Sequence, residues 1–201
     1  LIRAIRDPLR AETGRKMAHR NILDISRAVL VIVDVQEAFR SAIPDFALIA
    51  SRISIAVRGS EILDIPVIVT EQYPKGLGRT AEELLFGLEK EVPIIEKSTF
   101  SACGAAEFVE KLHELKRDQV VLCGIEAHVC VDQTAHDLLD QGFDVHLLSD
   151  CVASRFEHDK QAGLAKMYAS GVVPSSAEMA LFEIMRDSRH EHFRVVQELI
   201  K

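Results

Sequence analysis

No apolar run in this 201-residue chain is long enough to cross a bilayer. The longest, Ala28 to Val33, falls far short of the roughly 20 residues a membrane helix needs, which excludes a membrane-spanning protein. A basic face for phosphate is missing too: the formal net charge is −7 and no Lys/Arg cluster stands out, which argues against a nucleic-acid partner and favours small-molecule chemistry. No repeat, low-complexity tract or interdomain linker interrupts the chain, and its length suits one well-buried domain. Tryptophan is absent and aromatics are sparse, but 48% hydrophobic and 27% charged residues are ordinary for a soluble globular protein. No secretory leader is recognisable, so a cytoplasmic location is expected, where Cys103, Cys123, Cys130 and Cys151 stay reduced and form no disulfides.

The first twenty residues carry six basic side chains against Asp7 and Glu12 and superficially resemble a transit segment, although Pro8 and the lack of a serine-rich composition weaken that reading. Residues 1–24 read as an N-terminal arm docked on the body or on a partner subunit, with Met17 as an alternative translation start. Residues 25–201 read as the domain.

Within the domain, strand and helix patterns alternate. Ala28 to Asp34 is a continuous β-branched run of the kind buried on both faces of a parallel sheet. Apolar residues at helical spacing follow from Phe46 to Val57, then a second strand from Pro66 to Glu71 and a third from Pro93 to Lys97. A helix from Ala105 to Leu115 precedes a fourth strand at Gln119 to Cys123, and another with Val131, Ala135 and Leu138 ends at Gly142. Phe143 to Leu148 makes a fifth strand, and a helix from about His158 leads to Gly171 and a short sixth strand at Val172 and Val173. His190 to Lys201 reads as a final packing helix. This alternation predicts a doubly wound α/β fold: a mainly parallel six-stranded sheet with helices on both faces, a Rossmann-like three-layer architecture.

In open sheets of this kind ligands bind beyond the carboxyl ends of the strands, where strand order reverses. Asp34, Lys97 and Cys130 all fall at such ends. Taken singly each has an ordinary reading: a turn-capping acid, a solvated surface lysine, a buried thiol. Cys123, inside an apolar strand, and Cys151, in the turn after the fifth strand, read as inert. Cys130 differs because the segment Leu122 to Val131 (LCGIEAHVCV) runs from a strand through glycine into a turn that places it at the start of a helix. Unpaired N–H groups and the helix dipole there stabilise a thiolate and any oxyanion it creates. An acid, a base and a thiol at three strand ends of one sheet suit acyl transfer: a carboxylate takes the thiol proton, an ammonium holds the charge, and the thiolate attacks a carbonyl.

The segments VLVIVDVQEAF, IIEKSTFSA and VVLCGIEAHVCVDQTAHDLLDQGFDVHLLSDCVASR resemble the isochorismatase-like cysteine hydrolases over about Ala28 to Met185. TEQYPKGLG after the second strand is most similar to a short branch of isochorismatase-domain proteins. The resemblance implies an Asp34, Lys97 and Cys130 triad working through a thioester, with Asp34 as general base and acid and Lys97 polarising the site. It also implies a cis peptide between Ile125 and Glu126, an oxyanion hole from the N–H groups of Glu126 and Cys130, and a pocket lined by Phe39 and bordered by Gln72. The nicotinamidases of this family bind a metal just after the second strand, but Gln72, Tyr73 and Pro74 stand there in this chain, and His128, His136 and Cys123 do not have ligand spacing, so no metal or other cofactor is expected.

The expected activity is hydrolysis of a C–N bond in a small amide or related acyl compound. An isochorismate-type hydrolase, a catalytically idle scaffold or ligand-binding protein and a thiol redox sensor are the alternatives. Relatives imply a homo-oligomer, a dimer or tetramer.

Overall fold

The computed structural model describes residues 19–86 and 88–201, so the greater part of the expected N-terminal arm lies outside the described residues. Residues 19–24 are bound to the body. Gln119 Oε1 accepts the Asp24 N–H at 2.8 Å, its Nε2 donates to Ile22 O at 3.1 Å, and Leu23 is fully buried.

Six strands form one parallel sheet in the order β3-β2-β1-β4-β5-β6: β1 Ala28–Val33, β2 Val67–Gln72, β3 Ile94–Lys97, β4 Gln119–Ile125, β5 Asp144–Ala153 and β6 Val173–Ser175. Composition sets each place. Every residue of β1 is buried, as its unbroken apolar run requires of a central strand, whereas β3 alternates exposed and buried and β6 carries Pro174, features of edges. One face of the sheet packs on α1 (Phe46–Ile62), α6 (Ala177–Met185) and α7 (Phe193–Ile200). The other packs on α3 (Ala106–Glu114), α4 (Asp132–Asp140) and α5 (Glu157–Ala169). A single turn of helix, α2 (Pro74–Leu77), follows β2. The architecture is therefore three layers, with strand order reversing between β1 and β4.

At that reversal the two strands approach closely. Val33 pairs with Gly124, whose φ is +128°, and a Cβ on Gly124 would lie 2.1 Å from Val33 O. Only glycine fits.

The structure departs from the sequence pattern in β5 and after it. The strand runs on to Ala153 through Ser149 and Asp150, because these polar residues find partners in the neighbouring segment: Ser149 Oγ donates to Ser175 O and Asp150 Oδ1 accepts the Ala177 N–H. Cys151 is consequently fully buried in the strand rather than placed in a turn. Helix α6, unassigned from the sequence, starts at Ser176, whose hydroxyl accepts the Met179 N–H in a regular N-cap. The last helix, Phe193–Ile200, is shorter than the expected His190 to Lys201 and matches the span of its apolar residues.

Candidate active site

Asp34 follows β1 directly, with a left-handed φ of 54°, a conformation aspartate tolerates better than most side chains. Its N–H donates to Thr70 O at 3.1 Å. Both carboxylate oxygens are engaged: Oδ1 accepts from Thr70 Oγ1 at 2.8 Å and Oδ2 from Lys97 Nζ at 2.7 Å. Lys97 ends β3 and reaches past β2 to do this. The two side chains are 0% and 1% exposed, so this is a fully buried ion pair. The Lys97 ammonium also donates to Gln72 Oε1 at 2.7 Å, Thr99 O at 3.0 Å and Phe100 O at 2.8 Å.

On the far side of the β1/β4 boundary, β4 ends in a cis peptide between Ile125 and Glu126. The chain then makes a π-helical turn, Ala127–Val131, before α4. Cys130 therefore sits in a widened turn just ahead of the regular helix, not at the helix start that the sequence predicts. Glu126 anchors the turn. Its carbonyl accepts the N–H groups of Val129 and Val131, and its carboxylate accepts the backbone N–H and Nε of Arg155, each at 3.0 Å. Helix α5 packs against the same turn so closely that a Cβ on Gly163 would lie 2.8 Å from His128 Cα.

The electrostatics of Cys130 correct a second expectation. Burial pushes the thiol up to about 12, the Asp34 carboxylate adds to that by charge and hydrogen bonding, and Lys97 only partly opposes it. The resting thiol is neutral. All four thiols are raised: Cys103 to about 11 by burial and the Asp137 charge, and Cys123 and Cys151 by deeper burial.

The structure thus brings Asp34, Lys97, Gln72, Cys130 and Glu126 to one end of the sheet. Phe39 closes the 3₁₀ turn Glu37–Phe39 and packs half-buried against the core on the α1 face. Among the described residues no group of three or more His, Cys, Asp or Glu side chains is placed to hold a metal ion. Three residues in contact with this network escape motif reading: Thr70 on Asp34, Gln36 on Gln72, and Arg155 on Glu126. A signal for Thr70 exists, because it stands two residues before Gln72 and so shares its side of β2.

Comparison with known proteins places these features in a family. The zebrafish (Danio rerio) isochorismatase domain-containing protein 2 is 39% identical over 186 residues, 92% of this chain and 92% of that one. The structure of MAR1 ribonuclease from Caenorhabditis elegans, 38% identical, superposes with a TM-score of 0.85 over 89% of this chain and 92% of that chain. The YcaC gene product of Escherichia coli, described as an octameric hydrolase of unknown specificity, is 21% identical with a TM-score of 0.80 over 89% and 94% of the two chains, a likeness of fold alone. The isochorismatase domain model matches residues 28–179, and the chain belongs to the isochorismatase family.

Proposed function

We propose that the chain hydrolyses a C–N bond in a small amide or related acyl compound through a thioester on Cys130. The observation that carries this reading is a buried thiol set against a carboxylate that is itself held by a buried ammonium. As Cys130 Sγ bonds to the carbonyl carbon, its proton passes to Asp34, and the carbonyl π pair becomes an oxyanion facing the N–H groups of Glu126 and Cys130. Collapse breaks the C–N bond, and the amine leaves with the proton from Asp34. A water molecule then gives a proton to Asp34 and attacks the thioester; the acid departs and Sγ recovers the proton. Lys97 stays an ammonium throughout, holding the charge on Asp34 in place. Phe39 lines the pocket in this reading.

A redox sensor needs an accessible thiol of low pKa, and Cys130 is 7% exposed and raised, which counts against that alternative. No metal is invoked, because Gln72, at the position where relatives carry a ligand, is committed to Lys97. No helix among the described residues is long and apolar enough to cross a membrane. A cytoplasmic homo-oligomer is the proposed state, with light scattering as the measurement.

A panel of small primary amides and amic acids, with isochorismate and a short RNA as further arms, tests the activity. Release of ammonia by the wild type, its loss in Cys130→Ala, an acyl adduct on Cys130 by mass spectrometry and an unchanged rate after chelator dialysis are expected. RNA cleavage that survives Cys130→Ala would overturn the reading, an arm included because the nematode relative is named a ribonuclease.

A further inference from the structure

The TEQYPKGLG segment is only partly used by the mechanism above, and Gln72 in it stands where a substrate contact is expected. Each end of its amide has a partner inside the protein: Oε1 accepts a Lys97 proton at 2.7 Å and Nε2 donates to Ser98 O at 2.8 Å. Its backbone is held as well. Gln36, fully buried, accepts the Gln72 N–H at 2.7 Å with Oε1, while its Nε2 donates to Gln72 O at 3.0 Å and Gly78 O at 2.7 Å. This side chain continues the β1–β2 pairing past the end of β1 and ties β2 to the loop after it.

The ammonium that Gln72 meets has three protons and four acceptors within 3.0 Å: Asp34 Oδ2, Gln72 Oε1, Thr99 O and Phe100 O. No proton is left over for a substrate. A buried ammonium needs every proton satisfied, and a ring of acceptors also fixes where its charge sits. Lys97 is among the groups that lower the Cys130 thiol, while Asp34 and Glu126 raise it, so a displaced Lys97 weakens the nucleophile. The side chain chosen to hold it is neutral. A carboxylate at position 72 would satisfy the same proton but add another negative charge to a site where negative charge already disfavours the thiolate.

We infer that Gln72 is a positioning residue, which fixes the Lys97 ammonium beside Asp34 and Cys130 and makes no substrate contact. The inference rests on the proposed role of Cys130 as the nucleophile. It explains why the end of β2 carries a glutamine whose neighbour Thr70 holds the other member of the ion pair.

The test is Gln72→Leu, which keeps most of the volume and removes both amide ends. Turnover should fall roughly tenfold or more for every accepted amide, with KM within about twofold and the order of substrate preference unchanged. Alkylation of Cys130 by iodoacetamide at a fixed pH of about 9, which involves no substrate, should slow by roughly tenfold as the thiolate loses its cation. If the leucine variant fails to fold, Gln72→Asn keeps an amide on a shorter stem, and its alkylation rate should still fall. A raised KM with kcat kept, a changed order of substrates or an unaltered alkylation rate would overturn the inference and make Gln72 a specificity contact. Absence of turnover in the wild type would instead sink the hydrolase reading, and the alkylation arm would still report the hold of Gln72 on Lys97.

Discussion

At the scale of the residue, the site is governed by competition between burial and charge. A thiol beside a lysine invites the expectation of a stable thiolate, but burial and Asp34 outweigh Lys97 and push the Cys130 thiol up. Asp34→Asn therefore acts in opposite directions on two measurements. Turnover should drop about 10²- to 10⁴-fold with the loss of the proton acceptor. Alkylation of Cys130 should quicken, because the charge that raised the thiol has gone; slower alkylation in this variant would mean that the carboxylate generates the thiolate at rest. Lys97→Met tests the ion pair itself. It leaves Asp34 buried with its cation removed, which should cost about 3–5 kcal/mol in urea unfolding, and much of that should return when Asp34→Leu is added. A Lys97→Met protein as stable as wild type would show that the pair is not closed to water. That Asp34 and Lys97 meet was legible from their places at strand ends, and the turn after β4 brings Cys130 to the same end; the upward push on the thiol was not legible, because burial is a property of the packed fold.

At the scale of the element, legibility followed the apolar pattern. β1 and the first half of β4 carry unbroken hydrophobic runs and stand where those runs predict. β5 outran its pattern because Ser149 and Asp150 satisfy their polar atoms on β6 and α6, partners no local window contains. The π turn was hidden for the same reason: α5 packs on it from 35 residues further along the chain, with Gly163 set against His128. Gly163→Ala needs a few tenths of an ångström or more from that backbone contact and should lower kcat several-fold while the protein remains folded, as read by circular dichroism alongside the amide assay. Gly124→Ala is harsher. Its Cβ meets Val33 O at 2.1 Å in a backbone conformation that L side chains rarely adopt, so a loss above about 4 kcal/mol, seen as insoluble or unfolded protein, is expected. A soluble, active Gly124→Ala protein would show that β1 and β4 can part at the site without cost.

At the scale of the whole molecule, the two ends of the sheet differ, and the end opposite Asp34, Lys97 and Cys130 buries a group whose protonation opposes folding. There Arg27 bridges Asp118 and Asp144, Arg20 also reaches Asp144, and the segment at residues 19–24 covers the start of β5. His146 lies beneath, fully buried, and among the described residues its ring nitrogens make no close hydrogen bond, the backbone of Arg20 being its nearest polar support. Burial pushes its pKa down to about 4 from 6.5, with Asp144 opposing the fall and Arg27 adding to it. The unfolded chain therefore takes up this proton near pH 6.5, whereas the folded protein resists it until about pH 4. Between those values the unfolded state binds more protons, so stability declines as pH falls, at up to about 1.4 kcal/mol per pH unit from this one group, and the contribution levels off below. The buried carboxylate of Glu71 and the paired one of Glu83 have lowered pKa values and act below the ordinary carboxylate range, so the contribution of His146 is sought from about pH 6.5 to 5, by difference against a variant without the imidazole. Urea midpoints measured across that interval should fall steeply in the wild type and much less in His146→Leu. Equal slopes in the two proteins would mean that the imidazole takes up a proton in place, with water or a neighbour reaching a ring nitrogen that is closed off in this structure.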